Sequence, residues 1–253
     1  MRAADAPRVL FTGQAGFVFT SAAGTSVGVD LYLTDCVERH DGFKRLCPKV
    51  ARAEDLELDC VIATHWHLDH FDVDAMPLLM AGGRTRLVAA KDCRQHVERL
   101  HLDEGRVRYV EAGDTAACGD VMIRAVFCDH GDGAPLAVGV VLEVDGYKVY
   151  ITGDTCLRLD KAGEIGAYGP FDIMIAPVNG AFGNLNEKEC VELCKYHKPK
   201  VVIPCHYWMF AEQHGDPGIF AAEIRERLPG QKHCIMRPGE EIPIKRLLGT
   251  AGI

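Results

Sequence analysis

The sequence predicts a layered α/β protein, and its pattern of strands and helices allows two mixed β-sheets with helices outside them. Short β-rich runs, bounded by glycine and aspartate turns, recur through the 253 residues and are interrupted by single helical segments. With 48% hydrophobic and 25% charged residues, the composition is that of a globular protein. No Pro-rich, Ser/Gly-rich or highly charged linker divides the chain. We therefore expect one domain over residues 1–253.

The first half begins with three strands of a β-meander, because Gly13 and Ala23-Gly24 are turn signals between apolar runs. Residues 35–48 form a polar insertion of mixed charge, which is open to two interpretations: a solvated short helix or a cover over a site. Asp72 or Asp74 is the expected N-cap of the next helix. The predicted elements up to residue 127 are strands at 8–12, 16–21, 25–31, 60–63, 86–90, 106–110 and 120–127, a helix after residue 74 and a helix at 91–100.

In the second half, strand and helix patterns alternate. Asp145-Gly146 is typical of a hairpin turn, and Asn186 followed by acidic residues is typical of a helix start. The predicted elements here are strands at 136–144, 148–151, 172–176, 200–204, 232–236 and 241–246, and helices at 186–197 and 217–228.

One motif carries most of the functional information. Thr64-His65-Trp66-His67-Leu68-Asp69-His70 follows directly on the apolar run 60–63. Imidazole and carboxylate ligands together suit zinc, manganese or iron better than calcium or magnesium. A histidine-rich surface loop is the alternative, but three histidines at i, i+2 and i+5 around an acid are typical of a metal site.

Further ligand types follow three other predicted strands. His130 comes after the strand at 120–127, Asp154 after 148–151 and His206 after 200–204. Active sites of layered α/β folds collect at such strand ends. Alone, each of these histidines would as readily be a hydrogen-bonded structural residue. Together with the first loop, they predict one shared metal site.

These motifs resemble the metal set of the metallo-β-lactamase superfamily, which implies an αββα sandwich over nearly the whole chain. The superfamily pattern is HxHxDH (His65, His67, Asp69, His70), a later histidine (His130), Gly153-Asp154-Thr155 and a last histidine (His206). Other segments resemble its L-ascorbate-6-phosphate lactonase (UlaG-like) branch: Gly13-Gln14-Ala15-Gly16-Phe17, Asp30-Leu31-Tyr32-Leu33-Thr34-Asp35, Pro177-Val178-Asn179-Gly180, Ile203-Pro204-Cys205-His206-Tyr207 and Phe210.

The resemblance implies a role for each ligand. His65, His67 and His130 would bind one divalent metal, Zn²⁺ or Mn²⁺; Asp69, His70 and His206 would bind a second, and Asp154 would bridge the two. Two cations about 3.5–4 Å apart lower the pKa of a water molecule held between them toward neutrality, so hydrolysis by a metal-bound hydroxide is the expected chemistry. Asp69 and Asp154 are the expected catalytic residues, which orient the nucleophile and move a proton. If one metal binds, Asp69 becomes a general base rather than a ligand.

The branch resemblance implies a lactone or sugar-acid substrate, with or without a phosphate. Asn179, Gly180 and Asn184 lie in a loop suited to hydrogen-bonding a hydroxylated ligand, although turn chemistry explains the same residues. Gln14 could reach the site or be structural. Arg158 could bind a phosphate, with a surface salt bridge as the default interpretation.

Four other functions use the same fold or ligands. A small-substrate phosphodiesterase would use the same metal hydroxide, and a non-catalytic metal-binding module would bind metal without turnover. Enzymes resembling the tRNA 3′-end nucleases need a basic surface, which the net charge of −8 disfavours. The flavodiiron oxygen reductases carry an acid at the position of His67 and a flavin domain.

Bulk features set the expected environment. Eleven cysteines, an odd number, without a signal-like apolar start favour reduced thiols in a cytoplasmic protein. No run approaches the roughly 20 apolar residues that cross a membrane. We expect a small-molecule substrate, no nucleic-acid or membrane partner, and leave homo-oligomerisation open.

Overall fold

Two seven-stranded mixed sheets lie at the centre of the molecule, flanked by helices, in a computed structural model that describes residues 6–249. The predicted fold class is confirmed. The first sheet has the strand order β14-β1-β2-β3-β4-β5-β6 and the second β13-β12-β11-β10-β9-β8-β7. The strands are β1 (Arg8–Gly13), β2 (Gly16–Thr20), β3 (Ser26–Val29), β4 (Cys60–Ala63), β5 (Arg86–Ala90), β6 (Val107–Val110), β7 (Thr115–Cys118), β8 (Val121–Phe127), β9 (Val138–Val144), β10 (Tyr147–Ile151), β11 (Ile173–Pro177), β12 (Val201–Cys205), β13 (Lys232–His233) and β14 (Glu241–Pro243).

Each sheet is antiparallel on one side and parallel on the other. In the first sheet β14, β1, β2 and β3 pair antiparallel, and β3, β4, β5 and β6 pair parallel. In the second, β7 to β10 pair antiparallel and β10 to β13 pair parallel. Because the carboxyl ends of neighbouring parallel strands lie at one edge of a sheet, the loops after β3, β4, β10, β11 and β12 are brought toward a common rim.

The helices are short, and each buries some of its apolar residues in the core. Asn186 and Glu189 form a capping box at the start of α5, as the sequence predicted. Asp72 accepts hydrogen bonds from the backbone N–H groups of Asp74 and Ala75, and so caps the following helix. The helices are α1 (Cys36–Asp41), α2 (Ala75–Ala81), α3 (Arg94–Arg99), α4 (Leu159–Gly166), α5 (Glu187–His197), α6 (Pro217–Arg227) and α7 (Ile244–Gly249).

Several predicted elements differ from the structure. The strand expected at 241–246 ends at Pro243, which cannot donate a ladder hydrogen bond, and α7 follows it. The strand expected at 232–236 is β13, of two residues. The helix expected at 91–100 is a 3₁₀ turn at Lys91–Cys93 followed by α3. Strand β7 and helix α4 were not predicted.

The polar insertion at 35–48 is both a short helix, α1, and part of the wall of a cavity described below. The side chain of Arg45 anchors it. Its guanidinium lies 4.0 Å over the Tyr32 ring and donates to the carbonyl oxygen of Thr34 at 2.6 Å. Only 6% of this side chain is exposed, so Arg45 fixes the insertion to the segment at 32–34, although residues 38–42 of the insertion are exposed.

Two remaining observations concern the chain as a whole. All eleven cysteines are free thiols. Over residues 6–249, no helix is both long enough and apolar enough to cross a lipid bilayer. The ends of the predicted domain, residues 1–5 and 250–253, lie outside the described residues.

Candidate metal centre and active site

The seven predicted ligands converge at the rim where strand ends of both sheets meet. Four come from the loop after β4, and one each follows β8, β10 and β12. Their ligand atoms fall into three overlapping groups, within each of which all atoms lie within 4.8 Å of one another. The groups are His65, His67 and His130; His65, His70 and Asp154; and Asp69, His70 and His206.

Local backbone geometry fixes two of these ligands. Gly153 precedes Asp154 and has a φ of +66°, and a Cβ atom there would lie 2.8 Å from the carbonyl oxygen of Val138. Only glycine fits this turn without displacing β9. His206 has a φ of +64°, and its backbone N–H donates to the carbonyl oxygen of Gln14 at 2.8 Å. The turn between β1 and β2 therefore holds the last histidine in place.

The first group joins His65 and His67 to His130. The Nε2 atom of His65 lies 3.0 Å from Nδ1 of His67, and Nε2 of His130 lies 3.1 Å from the same atom. In the group that holds Asp69, the Nε2 atoms of His70 and His206 are 3.1 Å apart. One carboxylate oxygen of Asp69 lies 3.5 Å from His206 Nε2. These are the two groups of residues that the resemblance assigned to two metals.

Asp154 lies between the two sets. Its Oδ1 atom is 3.1 Å from Nε2 of His206 and 3.3 Å from Nε2 of His70. Its Oδ2 atom is 3.9 Å from Nε2 of His130. The two oxygens of one carboxylate thus face different sets, which is the arrangement that a bridging ligand requires.

The donor set fits a divalent transition metal. Two ligands of one tetrahedral zinc, each about 2.1 Å from the ion, are roughly 3.3 Å apart. The nitrogen–nitrogen and nitrogen–oxygen distances within the sets are close to that value. Imidazole and carboxylate together suit zinc and manganese. The cluster is therefore able to bind a metal, while the assignment of each residue as a ligand stays a prediction.

Burial and charge prepare the two sets differently. Burial lowers the pKa of His65 and His67 and lowers that of His130 to about 4, so these imidazoles keep a free lone pair at neutral pH. Burial alone would also lower the pKa of His70, but the carboxylates of Asp154, Asp30 and Asp69 raise it well above its ordinary value. A bound cation would replace the proton that these carboxylates favour.

Three polar residues lie behind the ligands: Asp30 had no predicted role, the role of Gln14 was left open, and Asn184 was predicted to contact a substrate. The Oδ2 atom of Asp30 lies 2.9 Å from Nδ1 of His70. Gln14 donates to Asp69 Oδ2 at 2.7 Å. Of its two predicted roles, reaching the site or being structural, the structure therefore supports a contact with the site. Asn184 donates to Asp154 Oδ2 at 2.7 Å. Such partners orient metal ligands and tune their basicity.

The cluster opens into a cavity of about 510 Å³, within the usual range for small-molecule sites. His67, Asp69, His130 and Asp154 face this cavity, whereas His65, His70 and His206 lie deeper. The other lining residues are Val37, His40, Asp41, Phe43, Trp66, Leu68, His96, Arg99, Phe182, Asn184, Phe210 and Gln213.

Of the predicted substrate contacts, Asn184 lines the cavity, but its amide group is engaged by Asp154. Asn179 is buried and does not line it, and neither does Gly180. These contacts remain predictions. Arg158 pairs with Asp129 and Asp160, which is the default salt-bridge interpretation.

The chain resembles known proteins over most of its length. A family model described as a beta-lactamase superfamily domain matches residues 8–206. A UPF0173 metal-dependent hydrolase of Rubrobacter xylanophilus is 28% identical over 248 residues, covering 93% of this chain and 96% of that protein. One from Thermococcus onnurineus is 30% identical over 196 residues, covering 75% and 84%. In fold, the chain is similar to Igni18, a metallo hydrolase from Ignicoccus hospitalis, with a TM-score of 0.73 at 21% identity, covering 93% of this chain and 97% of that one.

Proposed function

We propose that this chain, which belongs to the metallo-β-lactamase superfamily and within it to the UPF0173 metal-dependent hydrolases, cleaves the ester bond of a small lactone or ester. The observation that carries the proposal is the pair of ligand sets that share Asp154 at the base of a cavity of about 510 Å³. The segments that resemble the L-ascorbate-6-phosphate lactonases support a lactone as the substrate class. One or two zinc or manganese ions would complete the site.

The chain's own residues divide the work. When bound, the metal supplies Lewis-acid activation of the scissile carbonyl group and of a water molecule. Asp69 faces the cavity and is held by the Gln14 amide, so it is placed to orient the attacking water and accept its proton. Asp154 also faces the cavity and is fixed by Asn184, so it keeps the two ligand sets in register.

Elemental analysis of the purified protein, combined with a substrate panel of lactones, esters and phosphodiesters, tests this proposal. We expect one or two zinc or manganese ions per chain and turnover of a lactone or ester. Asp154→Ala should abolish hydrolysis and reduce metal occupancy while the protein stays folded by circular dichroism. His214→Ala, at an exposed histidine outside the site, is the matched control and should keep wild-type metal content and activity.

Three outcomes would contradict the proposal. Turnover of phosphodiesters without lactones or esters would indicate a small-substrate phosphodiesterase. Bound metal with no turnover of any class would indicate a metal-binding module. Full activity of Asp154→Ala would remove the bridging role of that carboxylate.

A further inference from the structure

Three phenylalanines form one aromatic cluster at the active-site cavity, in which Phe182 is exposed and Phe210 is buried. Phe43, Phe182 and Phe210 all line it; the Phe43 ring centroid lies 5.8 Å from that of Phe182 and 6.2 Å from that of Phe210. We call these three residues the aromatic wall. Phe43 comes from the insertion after α1, Phe182 from the loop after β11 and Phe210 from the segment after β12. The wall is therefore assembled from three separate parts of the chain.

Phe182 occupies this place at a cost to the fold. Its backbone has a φ of +54°, in the left-handed region that bulky residues rarely adopt, and 58% of the residue is exposed. Within residues 6–249 its ring has one aromatic neighbour, Phe43. Strained backbone and an exposed large apolar ring do not improve packing. Their combination at the mouth of an active-site cavity indicates a functional role.

The loop that carries Phe182 is closed and ordered. Asn179 and Asn186 pair across its base, and the backbone N–H of Gly180 donates to the carbonyl oxygen of Leu185 at 3.0 Å. Across the tip, the backbone N–H of Asn184 donates to the carbonyl oxygen of Ala181 at 3.0 Å. The backbone that carries the Phe182 ring is therefore fixed by hydrogen bonds within its own loop.

Two amide side chains of the cavity are already engaged, although His40, Asp41 and Arg99 also line it. The amide of Asn184 donates to Asp154, and the amide oxygen of Gln213 accepts from Gln14 at 2.7 Å. A hydroxylated substrate needs free donors and acceptors at its hydroxyl groups, since unpaired polar groups that become buried destabilise the complex. The lining, with Val37 and Leu68 beside the aromatic wall, favours an apolar group instead.

We propose that the aromatic wall binds an apolar substituent of the substrate, an aryl or branched-alkyl group, so that the preferred substrate is a hydrophobic lactone or ester rather than a sugar acid. The inference rests on the proposed hydrolase function for its chemistry and on the wall for its specificity. An aryl group buried against the wall should improve binding about 10- to 100-fold over the unsubstituted ring.

Three γ-lactones that share one ring test the inference: γ-butyrolactone, γ-phenyl-γ-butyrolactone and L-gulono-γ-lactone. With the metal-loaded protein, kcat/KM should be at least tenfold higher for the phenyl lactone than for the other two. Phe182→Ala should bring the ratio of kcat/KM for the phenyl lactone to that for γ-butyrolactone toward one, chiefly through KM. Phe182→Leu should retain part of the preference. Tyr196→Ala, at a half-exposed aromatic residue on α5 outside the cavity, should keep the wild-type ratio.

Calorimetric binding of 4-phenylbutyrate and butyrate gives a readout that does not need turnover. Phe182→Ala should weaken binding of 4-phenylbutyrate about tenfold. Butyrate should bind more weakly than 4-phenylbutyrate to both proteins. If no lactone is hydrolysed but the affinity for 4-phenylbutyrate falls in Phe182→Ala, the proposed hydrolysis is wrong and the inference about the aromatic wall is supported. Preference for L-gulono-γ-lactone, or an unchanged phenyl preference and unchanged 4-phenylbutyrate binding in Phe182→Ala, would overturn the inference.

Discussion

Among single residues, Asp30 contributes to the site although it is not a candidate ligand. It is fully buried after β3, with a φ of +49°, and accepts hydrogen bonds from the backbone N–H and the hydroxyl of Thr64 at 2.8 and 2.7 Å. The same carboxylate lies 2.9 Å from Nδ1 of His70. It therefore joins the start of the ligand loop to one of its histidines, and leaves Nε2 of His70 to face the cluster.

Replacing Asp30 with Asn should weaken metal binding about 10- to 100-fold, because a carboxylate behind a ligating histidine fixes its orientation and raises its basicity. Asparagine keeps the shape and can still accept from Thr64, so the fold should persist. Titration of the metal against a chelator of known affinity measures the effect.

Asp172→Asn is the matched control for that experiment. Asp172 is also buried and accepts a backbone hydrogen bond, from Lys148 at 2.8 Å, but it precedes β11 far from the ligand loop in the chain. We expect it to lower thermal stability without changing metal affinity. Equal metal affinity in Asp30→Asn and wild type would show that His70 does not need this carboxylate.

The cluster of candidate ligands could be predicted from the sequence because most of its chemistry is local. Four of the seven residues lie within one hexapeptide, and the others follow apolar runs. Asp30, by contrast, looks like a turn residue, and the side chain of Gln14 reaches Asp69 over a sequence separation of 55 residues. The sequence therefore left Gln14 open between a site contact and a structural role and gave Asp30 no role, since only the tertiary structure brings their partners near.

At the scale of elements, strong apolar patterns were predicted well and weak ones were missed. Strand β7 has the sequence Thr-Ala-Ala-Cys, in which alanine is a poor strand former. Helix α4 has eight residues, two of them glycine, so its intrinsic helix preference is low. Both form because neighbours bury them: β7 pairs with β8, and Ala162 and Ile165 of α4 reach the core.

His197, at the end of α5, differs from the candidate metal ligands because its role is structural and its imidazole is neutral. Its ring centroid lies 5.4 Å from Tyr150 and 5.6 Å from Phe171, and within residues 6–249 neither ring nitrogen has a hydrogen-bond partner. Burial lowers its pKa to about 4. Although Cys190 and Cys194 precede it at helical spacing, they do not form a candidate metal group with it in the described part of the chain.

His197→Phe should therefore make the protein less sensitive to acid. In the unfolded chain a histidine has a pKa near 6.5, whereas in the folded protein the pKa of His197 is about 4. The unfolded state therefore binds the proton more readily, and the free energy of unfolding decreases as the pH falls from about 6.5 toward 4. With allowance for partial exposure, this loss is about 1 kcal/mol at pH 5. Urea unfolding of metal-free protein at pH 7 and pH 5 measures the decrease in the free energy of unfolding. This decrease should be smaller by that amount in His197→Phe than in wild type.

His214→Phe, at an exposed site, should behave like wild type in the same experiment, and both variants should keep wild-type metal content. An identical pH dependence in His197→Phe and wild type would mean that the imidazole is protonated without cost in the folded protein. A loss of metal in His197→Phe would instead place it among the ligands.

At the scale of the whole molecule, each ligand set takes residues from both sheets. The loop after β4 of the first sheet supplies His65, His67, Asp69 and His70, and the second sheet supplies His130, Asp154 and His206. Local patterns cannot reveal this arrangement, because it depends on how the sheets stack. Its consequence is mechanical: a cation held by these residues links the two sheets at one rim.

Removing the metal should therefore lower the stability of the whole fold. A ligand that binds only the folded state at about 100 times its Kd stabilises it by about 2.7 kcal/mol, which for a chain of this size corresponds to roughly 5–10 °C in Tm. Calorimetric scans before and after chelation, with metal content checked in each sample, measure the difference. Asp154→Ala, which lacks the carboxylate that faces both sets, should show a much smaller shift on chelation. An unchanged Tm in wild-type protein shown to have lost its metal would mean that the two sheets hold the rim together without it.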